Sequence, residues 1–361
     1  MHNDAALLLV IVFALFFTYE SQSQEHKHLS ISGLVLDEHN QPIPGVNIFI
    51  SGTTIGTASD KYGRFRFQIS NLSDGQYKLV FRNIAYHTNT YSFQIPVEDN
   101  QLELKVYLKE QHILLDSIVV TAESPKYLAK FEEVFLGNTK NGESASILNS
   151  HELRFERKKK RLHAETGKTL RIENPRLGYT MYLILDVFSW HLKKDQGKYF
   201  FKNIWFVEQS PENERQRETW QQNRLQTYMN SSRQFFNTLN TGKDLKQYGY
   251  TITKGGIEKL AFKPLITKEE LNALGIEKIK SSVYRDVYLY TLSEKTNYSL
   301  HVTYNDSDSI VRTLNEQPIL VDNNGNIINT PEVSFSGYWS KQRTADMLPF
   351  DYRPPAKTPV N

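Results

Sequence analysis

Between Leu29 and Leu108 apolar and polar residues alternate with a period of two, and Gly, Pro, Asp or Asn interrupts the alternation at short intervals. Successive side chains on a strand point to opposite faces, so this pattern predicts short, half-buried strands joined by tight turns. Strands are expected at Leu29–Leu36, Val46–Ser51, Ile55–Ser59, Arg64–Phe67, Tyr77–Phe81 and Leu102–Leu108. Phe65 and Phe67 share one face, and Arg64 and Arg66 the other. Asp37–Pro42 and Asp60–Gly63 carry turn residues, with Gly63 suited to a positive φ. Six or seven strands in about 80 residues fit an antiparallel β-sandwich.

After Ala122 the spacing changes. A short helix is expected at Tyr127–Val134, and a hairpin pair at Phe155–Glu165 and Lys168–Glu173 around a basic tip. Long aromatic-rich strands follow at Tyr179–Leu192 and Tyr199–Val207. The best-marked helix opens at Ser210-Pro211-Glu212, where serine caps, proline takes the first helical place and acid lies in the first turn. Leu225, Tyr228, Ser232, Phe235, Phe236 and Leu239 fall on one face, and Asn240 and Gly242 end it. A second helix at Thr267–Leu274 and strands at Tyr284–Leu292, Tyr298–Tyr304 and Pro318–Asp322 complete the region. The expected fold class is therefore β-rich with two domains. Residues 28–109 form the sandwich, 110–125 an extended linker, and 126–350 an α+β domain of mostly antiparallel strands with one long amphipathic helix. Residues 351–361 read as a Pro-containing disordered tail.

The apolar block Ala5–Phe17 is short for a membrane span. Ser21 and Ser23 suit a small-residue cleavage site, so residues 1–23 read as a secretory signal peptide, with an uncleaved anchor as the alternative. No second long apolar segment follows, so the mature chain is expected to lack a transmembrane helix. The chain has no cysteine, which excludes disulfides, thiol catalysis, thiolate metal sites and a lipid-bearing cysteine. A net charge of +3 argues against nucleic acid as the main partner.

Candidate chemistry is sparse. His151-Glu152-Leu153-Arg154-Phe155 begins like a zinc-peptidase motif, but Phe155 stands where the second histidine must be. His26, His28 and His39 read as solvated residues rather than metal ligands, and Asp322–Asn326 as a hairpin turn rather than a calcium loop. No phosphate loop, nucleophile elbow or paired-carboxylate signature stands out, so no cofactor and no catalytic residue are assigned. Three contact surfaces stay open. Lys158, Lys159, Lys160 and Arg161, after Arg157, are either a solvated hairpin tip or a contact for an anionic polymer. Trp190 and Trp339 are either core residues or part of a sugar-stacking platform. Val119 and Val120, in the apolar run Ile118–Ala122, could pair with a partner strand.

The segments Ile31–Asp37, Gln41–Ile48 and Gly56–Phe67 resemble the carboxypeptidase-regulatory-like (transthyretin-like) domain, a non-catalytic module. The Val119–Ala122 segment resembles the one that follows this module in large outer-membrane nutrient receptors of the Bacteroidetes. The residues left here are too few for their barrel. Together with Phe135–Gly137, Ile147–Asn149, Ile172–Tyr179 and Gly337–Ser340, the layout resembles exported Bacteroidetes proteins named for this regulatory domain. The resemblance implies a non-enzymatic binding or scaffolding protein of the cell envelope, in the periplasm or at the cell surface. Its partner would be an envelope protein or a glycan. A glycan-binding or glycan-active protein associated with outer-membrane nutrient uptake is the alternative.

Overall fold

The computed structural model describes residues 28–70, 72, 75–111, 124–254, 258–259, 268–273, 276–282, 287–293 and 298–355. The expected signal segment and the run Ile118–Ala122, with Val119 and Val120, lie outside them.

The first unit holds β1 (Leu29–Leu36), β2 (Asn47–Ile50), β3 (Gly56–Ala58), β4 (Arg64–Ile69), β5 (Gly75–Arg82), β6 (Asn89–Ile95) and β7 (Gln101–Tyr107). One sheet has the order β4-β1-β7 and the other β3-β2-β5-β6. Pairing is antiparallel except between β1 and β7, which run parallel. Ile31, Val35, Ile48, Ile50, Leu79 and Phe81 are completely buried within the sandwich core. Gln76 and Lys78 alternate outward from Tyr77 and Leu79 on β5, as a half-buried strand requires. The turn into β4 is built locally. The Asp60 carboxylate accepts from the N–H groups of Arg64 and Tyr62, which holds its pKa below the usual value. Gly63 has φ 74°, and a Cβ there would lie 2.5 Å from the Val35 carbonyl oxygen. Strand β6 breaks the sequence pattern because it is a sheet edge, with Asn89–Ser92 all exposed.

The central unit comprises α1 (Ser124–Leu136), α2 (Lys140–Ser144), β8 (Ser146–Ile147), β9 (Arg154–Lys158), β10 (Arg161–Glu165), β11 (Leu170–Asn174), β12 (Tyr179–His191) and β13 (Gln196–Glu208). Strand β12 is the axis. It pairs with β13 along one side, and with β11 and then β10 along the other. Its buried positions are Tyr179, Met181, Leu183 and Leu185, then Phe188 and Trp190. That change of phase coincides with register shifts between Leu183 and Val187, where an irregularity re-aims the side chains. Helix α1 covers this sheet, with Phe131 packed against Phe155 and Phe188, and Phe135 against Tyr199.

The remaining elements are α3 (Glu214–Tyr228), α4 (Ser232–Asn240), β14 (Tyr250–Lys254), β15 (Glu258–Lys259), α5 (Lys268–Ala273), β16 (Ile276–Lys280), β17 (Val287–Leu292), β18 (Ser299–Tyr304), β19 (Ser307–Thr313), β20 (Ile319–Asp322) and β21 (Val333–Gly337). They form the sheets β15-β14-β18-β19-β21 and β16-β17-β20 around a core of their own. The region expected as one α+β domain thus holds two separate hydrophobic cores.

The helix expected to run from Ser210 to Asn240 forms in two pieces. Asn213, not Ser210, caps α3, its side chain accepting from the Gln216 N–H. Asn230 then adopts φ 57°, and Ser231 caps α4 by accepting from the Gln234 N–H. The interruption frees the Asn230 carbonyl, which accepts the indole N–H of Trp339 at 2.8 Å. Helix α3 sits on the central sheet through a polar face. Trp220 lies over Gly178, and Arg224 donates to the Leu177 carbonyl and pairs with Glu208. Helix α4 carries the apolar face, burying Phe235 and Phe236 against Tyr250, Tyr290 and Trp339.

The start of the expected disordered tail is not free. Arg233 donates to the carbonyls of Pro349, Phe350 and Tyr352, and the Tyr352 ring packs on Tyr228. Proline removes donors from this segment but leaves its carbonyls, and those are what the arginine holds.

Candidate functional site

The sandwich is fastened to the rest of the molecule by its β2–β3 turn. Strand β13 is a sheet edge, and Gly52 donates its N–H to the Ile204 carbonyl at 2.6 Å. Phe206 donates back to Thr53 at 3.0 Å, and on the other side Phe350 donates to the Gly52 carbonyl at 2.7 Å. Gly52 and Thr53 are thus held between a strand edge and the C-terminal segment by main-chain bonds. Gly52 has φ 85°, and a Cβ there would lie 2.6 Å from the Phe350 ring, so only glycine fits. Thr54 adds hydrogen bonds to the Asp351 carboxylate from both its N–H and its hydroxyl. Trp205 of β13 stacks between Phe49 at 4.1 Å and Tyr182 at 4.7 Å, centroid to centroid.

A cleft of about 440 Å³ opens beside this seam, where all three units meet. The sandwich contributes Ser51, Gln76 and Lys78, β13 contributes Phe201 and Lys202, and the third unit contributes Tyr228, Arg233 and Trp339. The segment after β21 closes it with Arg343, Asp346 and Phe350. Burial, the largest influence, raises the Asp346 carboxyl above its ordinary pKa, against hydrogen bonds from Asn141, Thr139 and the Arg343 N–H. Asn174 donates to the Ala345 carbonyl at 2.7 Å, and Gly137 (φ 98°) lies against Arg343. The Phe135–Gly137 and Ile172–Tyr179 motifs therefore meet at residues 343–346, as a structural staple.

The basic run stands at the far tip of the central sheet. Strands β9 and β10 form a hairpin turning at Lys159 (φ 57°) and Lys160, and all five residues Arg157–Arg161 are exposed. Pairing of Arg161 with His191, and the bond from the Leu192 N–H to the Lys160 carbonyl, bring the β12–β13 turn alongside. That turn and the start of β13 add Lys193, Lys194 and Lys198, all exposed. Two nearby carboxylates are engaged, Glu156 with Lys158 and Asp195 with Lys130. The second set of lysines is legible in the sequence, but its juxtaposition with the first depends on the β10–β12 pairing, which no local pattern dictates.

The two tryptophans offered as a sugar platform are not one. Trp190 is 5% and Trp339 3% exposed, and they belong to different cores. The indole N–H of Trp190 donates to Asp195, as that of Trp339 does to Asn230, because a buried indole needs an acceptor. Glu173 accepts from Gln209, and Asp186 pairs with Lys202. The Asp322–Asn326 segment is a turn whose carboxylate accepts from the N–H groups of Asn324 and Asn326 and from the Asn326 amide. Among the described residues no group of three or more potential ligands is arranged to hold a metal ion.

With this geometry in hand, the comparisons with known proteins bear on the first unit. Residues 31–120 match the CarboxypepD_reg-like domain. This domain is a transthyretin-like sandwich and here comprises strands β1 to β7. Two curated relatives share it: the TonB-dependent receptor P39 of Formosa agariphila, 30% identical over 118 residues, and the TonB-dependent receptor SusC of Bacteroides thetaiotaomicron, 27% identical over 114. The matches cover 33% and 32% of this chain but only 10% of either receptor. Among solved structures, 3-chlorocatechol 1,2-dioxygenase from Rhodococcus opacus aligns over 23% of this chain and 60% of its own, at 11% identity and a TM-score of 0.19, which carries no functional argument. No helix among the described residues is long and apolar enough to cross a membrane.

Proposed function

We propose that this protein is an exported, non-enzymatic binding or scaffolding component of the cell envelope. The CarboxypepD_reg-like domain is its fixed structural part, and the basic tip of the central sheet is its contact surface. The observation that carries this reading is the junction of two hairpin tips, which gathers eight exposed cations, Arg157–Arg161 with Lys193, Lys194 and Lys198, at one end. Like charges held together in this way raise the local potential and favour an anionic polymer. The seam at Gly52 keeps the domain from swinging over that end. The domain shared with two TonB-dependent receptors supports an envelope setting.

Replacing Lys158, Lys159, Lys160, Lys193 and Lys194 together by glutamine tests this. Wild-type protein is expected to bind lipopolysaccharide or an acidic polysaccharide, with affinity falling steeply as salt rises. The variant should lose that binding while melting as wild type does. Equal binding by both proteins would remove the basic tip from the proposal. The glycan-active alternative is disfavoured because Asp346 is the single carboxylate lining the cleft and its oxygens are already taken by internal donors.

A further inference from the structure

The side of the sandwich opposite β3 is unfinished. Edge strands β6 and β7 both lie there, joined by the bond from the Asn89 amide to the Tyr107 carbonyl at 3.1 Å and by the bridge between Tyr86 and Glu110. Among the described strands β7 pairs only with β1. The Leu108 N–H donates to the Leu36 carbonyl, and in a parallel ladder that phase turns the main-chain groups of Leu102, Leu104 and Val106 toward β1. The N–H and C=O groups of Gln101, Glu103 and Lys105 therefore point the other way, and no described residue bonds to them. Leu102 and Leu104 are only half-buried against the core, and Tyr91, opposite Leu79 in the facing sheet, is 41% exposed. An open edge above a half-covered apolar stripe is a place where another strand can add.

The charges on this edge decide which strand that is. Gln101, Glu103, Lys105 and Tyr107 stand exposed on the outer face, and among the described residues neither Glu103 nor Lys105 has an ion-pair partner. The Lys105 ammonium lies instead over the Tyr107 ring, 5.5 Å from its centroid. Charges on an edge strand ordinarily guard it against pairing. Here the two signs alternate, so the guard fails against one partner in particular: the same strand run antiparallel. When two copies of β7 meet centred on Leu104, Glu103 of each lies opposite Lys105 of the other. Leu104 then faces its own counterpart on the core side, and Leu102 faces Val106. Glu103 and Lys105 are also the residues whose main-chain groups are free, so each such pair can exchange both N–H···O bonds. Sliding the register by two residues sets Glu103 against Glu103 or Lys105 against Lys105, which is repulsive. A slide of one residue opposes the free groups to residues already turned toward β1.

We propose that two copies of this protein associate through β7, antiparallel and centred on Leu104, so that their β4-β1-β7 sheets become one continuous sheet. The seam leaves this edge free, because it holds the sandwich by Gly52 and Thr53. The pairing uses none of the basic tip and stands whether or not that tip binds a polymer.

Sedimentation velocity of the full chain from about 5 to 200 µM tests the proposal. Wild-type protein is expected to pass from monomer to dimer across that range, with amide exchange at Glu103 and Lys105 slowing as the dimer forms. Glu103→Lys and Lys105→Glu each place like charges opposite one another and should weaken the dimer about tenfold. The double exchange, E103K with K105E, brings opposite charges together again in the same register and should recover the wild-type affinity to within about threefold. Both side chains are exposed, so all three variants should melt with wild type. A monomer at every concentration overturns the proposal. So does a dimer that the single substitutions leave unchanged, or one that the double exchange fails to restore.

Discussion

The sandwich and the two units that follow it are held together by different kinds of bond. In the sandwich the turns are fastened over short range: Asp60 reaches Arg64, and Ser59 joins Ile43 to Val46. In the rest of the molecule several join residues more than 100 positions apart, Asn141 to Asp346, Asn174 to Ala345 and Arg233 to Pro349. Local turns fix strand register as the chain emerges, whereas distant side-chain bonds form only after the elements they join are in place. The first unit is specified piece by piece, and the second by closure. Gly52 and Thr53 belong to both regimes, being a local turn used as a long-range fastening.

The most disruptive test of that contrast is Gly52→Val. It sets a branched side chain against the Phe350 ring at φ 85° and is expected to cost roughly 3 kcal/mol at the seam while leaving both sides folded. Scanning calorimetry should then show the sandwich melting apart from the rest. A single wild-type transition would mean that the seam does not couple the units. Trp205→Ala removes the ring between Phe49 and Tyr182 and should cost about 2–3 kcal/mol in denaturant unfolding. Asp346→Ala strips the acceptor from Thr139, Asn141 and the Arg343 N–H and should cost about 2 kcal/mol, read by the same unfolding curves.

The same residue gives a pH signature. Burial raises the folded-state pKa of Asp346 above its ordinary 3.8, so the folded protein holds that proton more tightly than the unfolded chain. Its contribution to stability therefore declines as pH rises from 3.8 through the raised folded value. The difference between wild type and Asp346→Asn should follow that decline, and a difference that grows with pH across the window would contradict it. The smallest effect is expected for Thr54→Ala, about 0.5–1 kcal/mol, because its bonds to Asp351 are exposed to water.

The contrast also explains what could be read from the amino acids. Strands β1, β4 and β5 show themselves through alternation such as Arg64-Phe65-Arg66-Phe67 and through the Asp60–Gly63 turn. The edge strand β6 does not, because Asn89-Thr90-Tyr91-Ser92 has no buried face to mark it. The helical stretch after Ser210 was visible, but its break was not: an αL Asn230 matters only because the Trp339 indole is there to donate to its carbonyl. The basic tip was half legible, since Arg157–Arg161 is a run in sequence while Lys193 and Lys194 join it through strand pairing. Trp190 and Trp339 look alike in sequence whether they face sugar or core, and burial alone separated them. The seam left no local trace, as nothing near Gly52 says that a phenyl ring from residue 350 will cover it.

Residues 349–353 lie downstream of everything they fasten. During synthesis the sandwich can reach its final shape early and pair with β13, yet its β2–β3 turn is not held from both sides until this stretch arrives. Chain order thereby sets the order of these contacts, with the covering of the turn following its pairing with β13.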